Sequence, residues 1–560
     1  MSLPVTSLRP VAQGFAIGLL LAVGGCGQST QQQPETAAQA PVVTPPVVAD
    51  VAAKAETRRA MPAAAPMLES YALPAAPEPL SAGYRDQDRE QYQKLAQNPV
   101  HSVAEAPVST FSIDVDTGSY ANVRRLLNEG RLPPQGAVRL EEMLNYFPYA
   151  YAPPADDSPF GITTELAPSP WNPHTRLLRI GIKAAERGVA QLPPANLVFL
   201  VDVSGSMDRR EGLPLVKGTL KLLVDQLRPQ DKVSLVVYAG DSRVVLEPTP
   251  GKDKAKIRAA IDQLQAGGST AGAAGIELAY RMAQQGFIDK GINRILLATD
   301  GDFNVGVSDF DSLKAMAAEK RRSGVSLTTL GFGVDNYNER LMEQLADAGD
   351  GNYAYIDNLR EARKVLVEQL SSTLAVLAKN VKLQLEFNPA QVSEYRLLGY
   401  ENRALKREDF NNDQVDAGEI GAGHTVTALY EIVPKGQKGW LEPLRYQAEA
   451  RPAGKGDELA WLRVRWQAPE GGPSRLVERP IASSGAGDLA HASDDLRFAA
   501  AVAAFAQQLD GARYTGGFDM SDTLALARSA RGEDPFGLRG EFLQLVELAR
   551  SLQTPLARNP

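Results

Sequence analysis

Cysteine is almost missing from this chain of 560 residues, and Cys26 is the only one. No intrachain disulfide can form, and no multi-cysteine metal centre can be assembled. Histidine is scarce too: there are four, His101, His174, His424 and His491. None accompanies a Gly-x-Ser-x-Gly nucleophile elbow, which leaves a Ser-His-Asp hydrolase without a motif. A basic excess is also lacking. Lys and Arg number 59 against 67 Asp and Glu, for a net charge of -8, so a phosphate backbone is repelled and nucleic acid is not an expected partner. Asp116-Thr-Gly-Ser119 spells the signature of an aspartic protease. That chemistry needs two facing aspartates sharing a proton, and no second Asp-Thr-Gly or Asp-Ser-Gly stands in the chain.

Long apolar runs are confined to the N-terminus. Arg9 precedes an apolar run at 15–23, about half the length needed to span a bilayer and proportioned like the core of a secretory signal. Residues 1–25 read as a signal peptide. Residues 26–84 are Gln, Ala, Pro, Val and Thr with few aromatics, a composition that cannot bury enough apolar surface to offset ordering entropy, and they read as a tether. A short polar helix is expected at 85–97, stopped by Pro99.

Residues 95–190 read as a small α+β unit. It has a half-buried strand at 109–115, helices at 120–129 and 140–146, and strands at 164–167 and 176–183 around a Pro-rich turn; Asp116 is expected to cap the first helix. Residues 196–378 alternate strand and helix, the signature of a doubly wound parallel sheet. Leu197 to Val201 run without polar alternation into Asp202, as in a strand buried on both faces. Asp253 is placed to cap a helix at 254–264, and a helix at 359–377 closes the unit. From Val381 the pattern switches to period two, and 379–555 reads as an antiparallel β-sandwich with closing helices. Phe498, Val502, Phe505 and Leu509, like Phe542, Leu545, Val546 and Ala549, make helical stripes that belong to the core. His424 reads as a polar face residue, and 410–419 as a loop without the ligand order of an EF-hand. The fold class is therefore multidomain α/β, with a central doubly wound, Rossmann-like domain between a small α+β domain and a β-sandwich with helices.

Chemistry concentrates at the end of the strand at 197–201. Asp202, Ser204 and Ser206 present short oxygen-bearing side chains at alternate positions, with Gly205 allowing a tight turn. In open α/β sheets ligands gather outside the carboxyl ends of the strands. A hard divalent ion wants oxygen ligands, and Mg²⁺ wants six while keeping several waters. Further oxygens are available from the Gly-rich loop holding Ser269 and Thr270, and from Asp300, which ends its own buried strand; Asp302 reads as a turn residue.

Asp202-x-Ser204-x-Ser206, then Thr270, then Asp300-Gly301 resembles the metal-ion-dependent adhesion site of von Willebrand factor A domains. The resemblance implies that the two serines and the threonine touch the ion, with Ser269 as the alternative hydroxyl, and that the aspartates bind it directly or through water. It implies a divalent cation, Mg²⁺ first and Mn²⁺ or Ca²⁺ as alternatives, with an open position for the Asp or Glu carboxylate of a protein partner. The chain beyond about residue 95 also resembles bacterial YfbK-like lipoproteins, through Phe111-Ser-Ile-Asp-Val-Asp-Thr117 and Ala428-Leu-Tyr-Glu-Ile-Val-Pro434. Val23-Gly-Gly-Cys26 is similar to a lipobox, which implies lipidation of Cys26 and membrane attachment there; Gly27 in place of Asp implies the outer membrane, facing the periplasm. A non-catalytic, metal-dependent binding module is the expectation. The rival is an envelope hydrolase working at Asp116 or at the metal.

Overall fold

Strands of the N-terminal flank pair with strands of the C-terminal flank as well as with one another. The computed structural model of the protein describes residues 90–155, 158–268, 272–301, 310–334, 337–442, 444, 456–485 and 487–553. The expected signal peptide and tether, with Cys26, and also Ser269, Thr270 and Asp302, lie outside the described residues.

The N-terminal flank supplies β1 (His101–Ser102), β2 (Val108–Ser112), α1 (Gly118–Asn128), α2 (Leu140–Asn145), β3 (Phe160–Pro168) and β4 (Arg176–Ala184). The central region runs β5 (Ala195–Asp202), α3 (Leu213–Gln226), β6 (Lys232–Tyr238), β7 (Ser242–Pro250), α4 (Lys254–Asp262), α5 (Gly272–Gln285), β8 (Ile292–Thr299), α6 (Phe310–Lys320), β9 (Ser326–Gly331), α7 (Glu339–Ala348), β10 (Tyr353–Tyr355), α8 (Leu359–Arg363) and α9 (Leu370–Leu374). The C-terminal flank follows with β11 (Val376–Phe387), β12 (Val392–Leu398), β13 (Ile420–Gly421), β14 (Thr425–Pro434), β15 (Glu458–Gln467), β16 (Arg475–Ala482), α10 (Asp494–Leu509), α11 (Met520–Ser529) and α12 (Leu538–Gln553).

The central sheet has the order β10-β9-β8-β5-β6-β7. It is parallel except for β7, which returns antiparallel from β6. β5 sits between β6 and β8 and is buried along its whole length. Its side chains alternate between two cores. Leu197, Phe199 and Val201 face Val216 and Leu220 of α3 and Ile257 of α4, whereas Val198 and Leu200 face Ile276 and Ala279 of α5 and Leu345 of α7. Two apolar faces explain why this strand reads as an unbroken hydrophobic run.

The flanks together form one sandwich. One sheet has the order β1-β12-β14-β4-β3, the other runs β13-β11-β15-β16, and β2 pairs β11. β4 from before the central region thus lies antiparallel to β14 from after it, in register from Thr425↔Lys183 to Ile432↔Arg176. Inner-face residues of the first sheet, Ile180 and Tyr430 among them, share a core with Phe111, Leu383 and Leu462 of the second. Its outer face, Leu177 and Leu429, packs on α10 and α12 through Phe498, Phe505 and Phe542. On that outer face Glu431 is fully buried, yet its carboxylate accepts from Arg396 Nη2 at 2.6 Å, Trp171 Nε1 at 3.0 Å and Thr175 Oγ1 at 2.6 Å. A buried charge is tolerated when paired and hydrogen-bonded in this way.

Several expectations are corrected. Residues 90–97 form no helix, and Gln91 bridges to Asn338. The closing helix of the central region is broken: a π-turn at Lys364–Glu368 separates α8 from α9, and Val376 already belongs to β11. Asp253 occupies the cap position of α4 without a side-chain cap hydrogen bond. Asp116 does not cap α1, whose N-cap is Thr117. Its Oδ1 accepts instead from Tyr353 N at 2.9 Å, and its Oδ2 lies 3.4 Å from Arg403 Nη2. His424, ahead of β14, is half-buried, and that burial, with Lys183 adding to it, pushes its pKa down to about 4.

Because β2, β3 and β4 complete sheets begun by C-terminal strands, residues 95–190 expressed alone are expected to lack native β structure. Circular dichroism and amide proton dispersion check this; a folded fragment would refute the shared sandwich.

Candidate metal centre

Two strand ends and the turn after each build the site. β5 and β8 are in register from Ala195↔Ile292 to Val201↔Ala298, so Asp202 and Asp300 emerge together at the carboxyl edge of the sheet. Both are buried, at 0% and 1% exposure. After Asp202 the chain turns sharply through a 3₁₀ segment at Gly205–Met207. Ser204 N donates to Asp202 Oδ1 at 2.9 Å, and the Ser204 and Ser206 hydroxyls lie 3.0 Å apart. The turn aims both hydroxyls the same way, with Ser204 buried and Ser206 half-buried.

Thr299 was given no role by sequence reasoning. Its hydroxyl donates to Asp202 Oδ2 at 2.9 Å and accepts from Gly301 N at 3.0 Å, which ties the two strand ends together. The one signal for it was a hydroxyl directly before a strand-ending aspartate. Tyr238, opposite Asp202 on β6, is a second such residue: burial, then the charge of Asp202, holds its hydroxyl well above its usual pKa.

The Gly-rich loop is drawn to the same place. Gly205 N donates to Gly268 O at 3.0 Å, and Gly267 N donates to Val203 O at 2.7 Å. Gly267 and Gly268 have φ of +159° and +90°; the second lies in the left-handed region that glycine tolerates. Further along, Gly275 of α5 rests on the Tyr238 ring so closely that an added Cβ would stand 2.8 Å from Tyr238 Cβ. Gly301, at φ +85°, lets its turn pass Asn338, which would be 3.1 Å from a Cβ there.

Electrostatics suit a cation. Burial first, and then the neighbouring Asp300 carboxylate, push Asp202 up to about 7. Among the described residues no Lys or Arg forms an ion pair with Asp202. Two buried carboxylates side by side, with two hydroxyls converging on them, form an all-oxygen donor set of the kind a hard divalent ion takes. The donors fit such an ion, and four of the expected ligands, Asp202, Ser204, Ser206 and Asp300, share this sheet edge. Thr270 and its alternative Ser269 fall outside the described residues.

Asp116 lies elsewhere, against β10. The glycine of its Asp-Thr-Gly also has a packing role, since a Cβ on Gly118 would stand 2.2 Å from the Tyr353 ring. Burial, and then Asp114, raise the Asp116 carboxyl well above the usual range.

Comparison with known proteins gives a consistent picture. The family model described as von Willebrand factor type A domain matches residues 196–369, one described as von Willebrand factor matches 86–179, and one described as uncharacterized protein YfbK, C-terminal, matches 372–552. Uncharacterized protein YfbK of Escherichia coli (strain K12) is 52% identical over 467 residues, covering 82% of this chain and 80% of its own length. Uncharacterized protein sll0103 of Synechocystis is 32% identical over 216 residues, 38% of this chain and 50% of its own. Among solved structures, a von Willebrand factor type A protein from Catenulispora acidiphila aligns over 70% of this chain and 91% of its own at 18% identity, with a TM-score of 0.38.

The glycine contacts make a stability test. Gly275→Ala should cost about 1–3 kcal/mol through overpacking. Gly205→Ala, whose Cβ would have its nearest neighbour 3.6 Å away, should cost less than about 1 kcal/mol. Urea unfolding of the two variants checks the order.

Proposed function

This chain belongs to the YfbK family and carries a von Willebrand factor type A domain, and from that premise we propose that it is a lipid-anchored envelope protein that captures a protein partner through a divalent cation. Asp202, Ser204, Ser206, Asp300 and Thr270 hold the ion, most simply Mg²⁺. When bound, it supplies an open coordination position for a carboxylate oxygen. The observation that carries the reading is the convergence of Asp202, Ser204 and Ser206 with Asp300 at one sheet edge, linked by Thr299.

The chain's own residues account for the choice of ligand. Only two carboxylates face the ion and the other protein ligands are neutral, so the ion is not over-neutralised and its open position can take an Asp or Glu carboxylate. Thr299 and the Ser204 amide hold both oxygens of Asp202 in place. Ordering of this kind lets ligands meet a metal at little further entropic cost.

A hydrolase centred on Asp116 has less support. Both of that carboxylate's oxygens already face Tyr353 N and Arg403, and they hold the N-terminal flank against the central domain.

Capture of a partner from an envelope extract should depend on Mg²⁺ and vanish with chelator. Asp202→Ala should lose the same partner while keeping native circular dichroism, and a synthetic peptide bearing Asp should compete. Equal recovery by the mutant, or in chelator, defeats the adhesion reading. Separately, Cys26→Ala should move the protein from the membrane fraction to the soluble one; unchanged fractionation would remove the lipid anchor from the proposal.

A further inference from the structure

Outside the adhesion site, among the described residues, a compact group of acids lies where the N-terminal flank meets α7. Asp114 follows β2 within the Phe111-Ser-Ile-Asp motif, Glu142 is on α2 and Glu343 on α7. One carboxylate oxygen from each lies within 4.8 Å of the other two. All three residues are buried, at 4%, 0% and 2% exposure. Calcium binds oxygens at about 2.3–2.6 Å, so ligands on opposite sides of one ion stand about 5 Å apart, and this triangle fits within a single coordination sphere.

The carboxylates are held, and one of their oxygens is left over. Glu142 Oε2 accepts from Ser119 N at 2.7 Å, while its Oε1 has no hydrogen-bond partner. Asp114 Oδ1 accepts from Asp116 N at 3.0 Å, while its Oδ2 has no hydrogen bond and only Arg403 Nε at 3.4 Å. An unsatisfied carboxylate oxygen this deep is costly, and Glu142 lies on a helix whose neighbours leave it no exit to water.

The surrounding charges do not balance. Asp114, Asp116, Glu343 and Asp347 all converge on Arg403, and Glu339 pairs with Arg139 at 3.3 Å. Glu142 has no cation of its own among the ion pairs of the described residues. Two guanidiniums thus face five buried acids and the partly exposed Asp347. A divalent ion at the triangle would remove much of the excess and give the orphaned Glu142 oxygen a partner.

We propose that Asp114, Glu142 and Glu343 form a second cation site, occupied by calcium and independent of the adhesion site, which pins α7 to the N-terminal flank. Calcium suits the position better than magnesium, because magnesium gives up its waters reluctantly and these residues leave little room for them. The site lies about one and a half turns along α7 from Asn338, the residue that caps the helix and packs on Gly301 beside Asp300. The ion therefore also braces the turn that carries an adhesion-site aspartate.

The test uses the full chain with Asp202→Ala, so that the adhesion site does not contribute. After chelation and desalting, the protein is dialysed against CaCl₂ and bound calcium is counted by mass spectrometry of the metal. About one equivalent is expected to remain, together with a calcium-dependent rise in Tm. Adding Glu142→Gln should weaken calcium binding by at least about tenfold and abolish the rise in Tm, and Glu343→Gln should do the same. No bound calcium in the Asp202→Ala chain overturns the proposal and means that protons neutralise the cluster. Calcium retained at full affinity by both Gln variants also overturns it. Should a Gln variant fail to fold, the other decides, and the count in the Asp202→Ala chain stands by itself.

Discussion

The pairing of β4 with β14 is the constraint on which the rest of this molecule depends. One strand precedes the central domain in sequence and the other follows it, and their register runs without a break from Thr425↔Lys183 to Ile432↔Arg176. Closing that ladder brings the two flanks into one sandwich. The central domain is then held at both of its ends, because β4 leads through residues 185–194 into β5 and α9 leads directly into β11. A von Willebrand factor A domain on a single linker would be free to reorient; this one is anchored where its chain enters and where it leaves.

The second attachment is polar. α1 and the strand-end motif at 111–117 press on β10 and α7: Gly118 gives the Tyr353 ring its space, Asp116 accepts from the Tyr353 amide, and Arg124 pairs with Asp357 and Glu361 beyond β10. Buried ion pairs add little net stability against an apolar alternative but penalise any other arrangement strongly, because a broken pair strands a charge. The interface is accordingly specific, and it lies against the helix whose cap touches the Asp300-Gly301 turn. The candidate metal centre thus sits on a domain whose orientation and whose α7 are both set by the flanks.

Much of the central domain was legible in the sequence. An apolar run with no alternation predicts a strand buried on both faces, and β5 is one; alternating strands and helices predict a doubly wound sheet, and the order β10-β9-β8-β5-β6-β7 is one. The Asp-x-Ser-x-Ser turn was legible because its oxygen-bearing side chains are neighbours in sequence. Thr299 and Tyr238 were not, since their part depends on the registration of three strands. Asp116 misled for a related reason. Its local spacing suits a helix cap or a protease signature, but its partners, Tyr353 and Arg403, lie more than two hundred residues away. The closing helix was read too long because the apolar pattern continues through Val376, and a strand buried at a domain junction is as apolar as a helix.

By itself the sequence determined the elements and the local chemistry: periodicity sets helix or strand within a few residues, and short-range spacing sets which hydroxyls and carboxylates can turn toward one another. Tertiary structure alone decided that the flanks share a sandwich, that Thr299 joins the two aspartate strands, and that acids from Asp114, Glu142 and Glu343 meet in the interior. The physical reason is that strand partnership and burial of charge are set by pairing across long loops, for which a single chain carries no local signal.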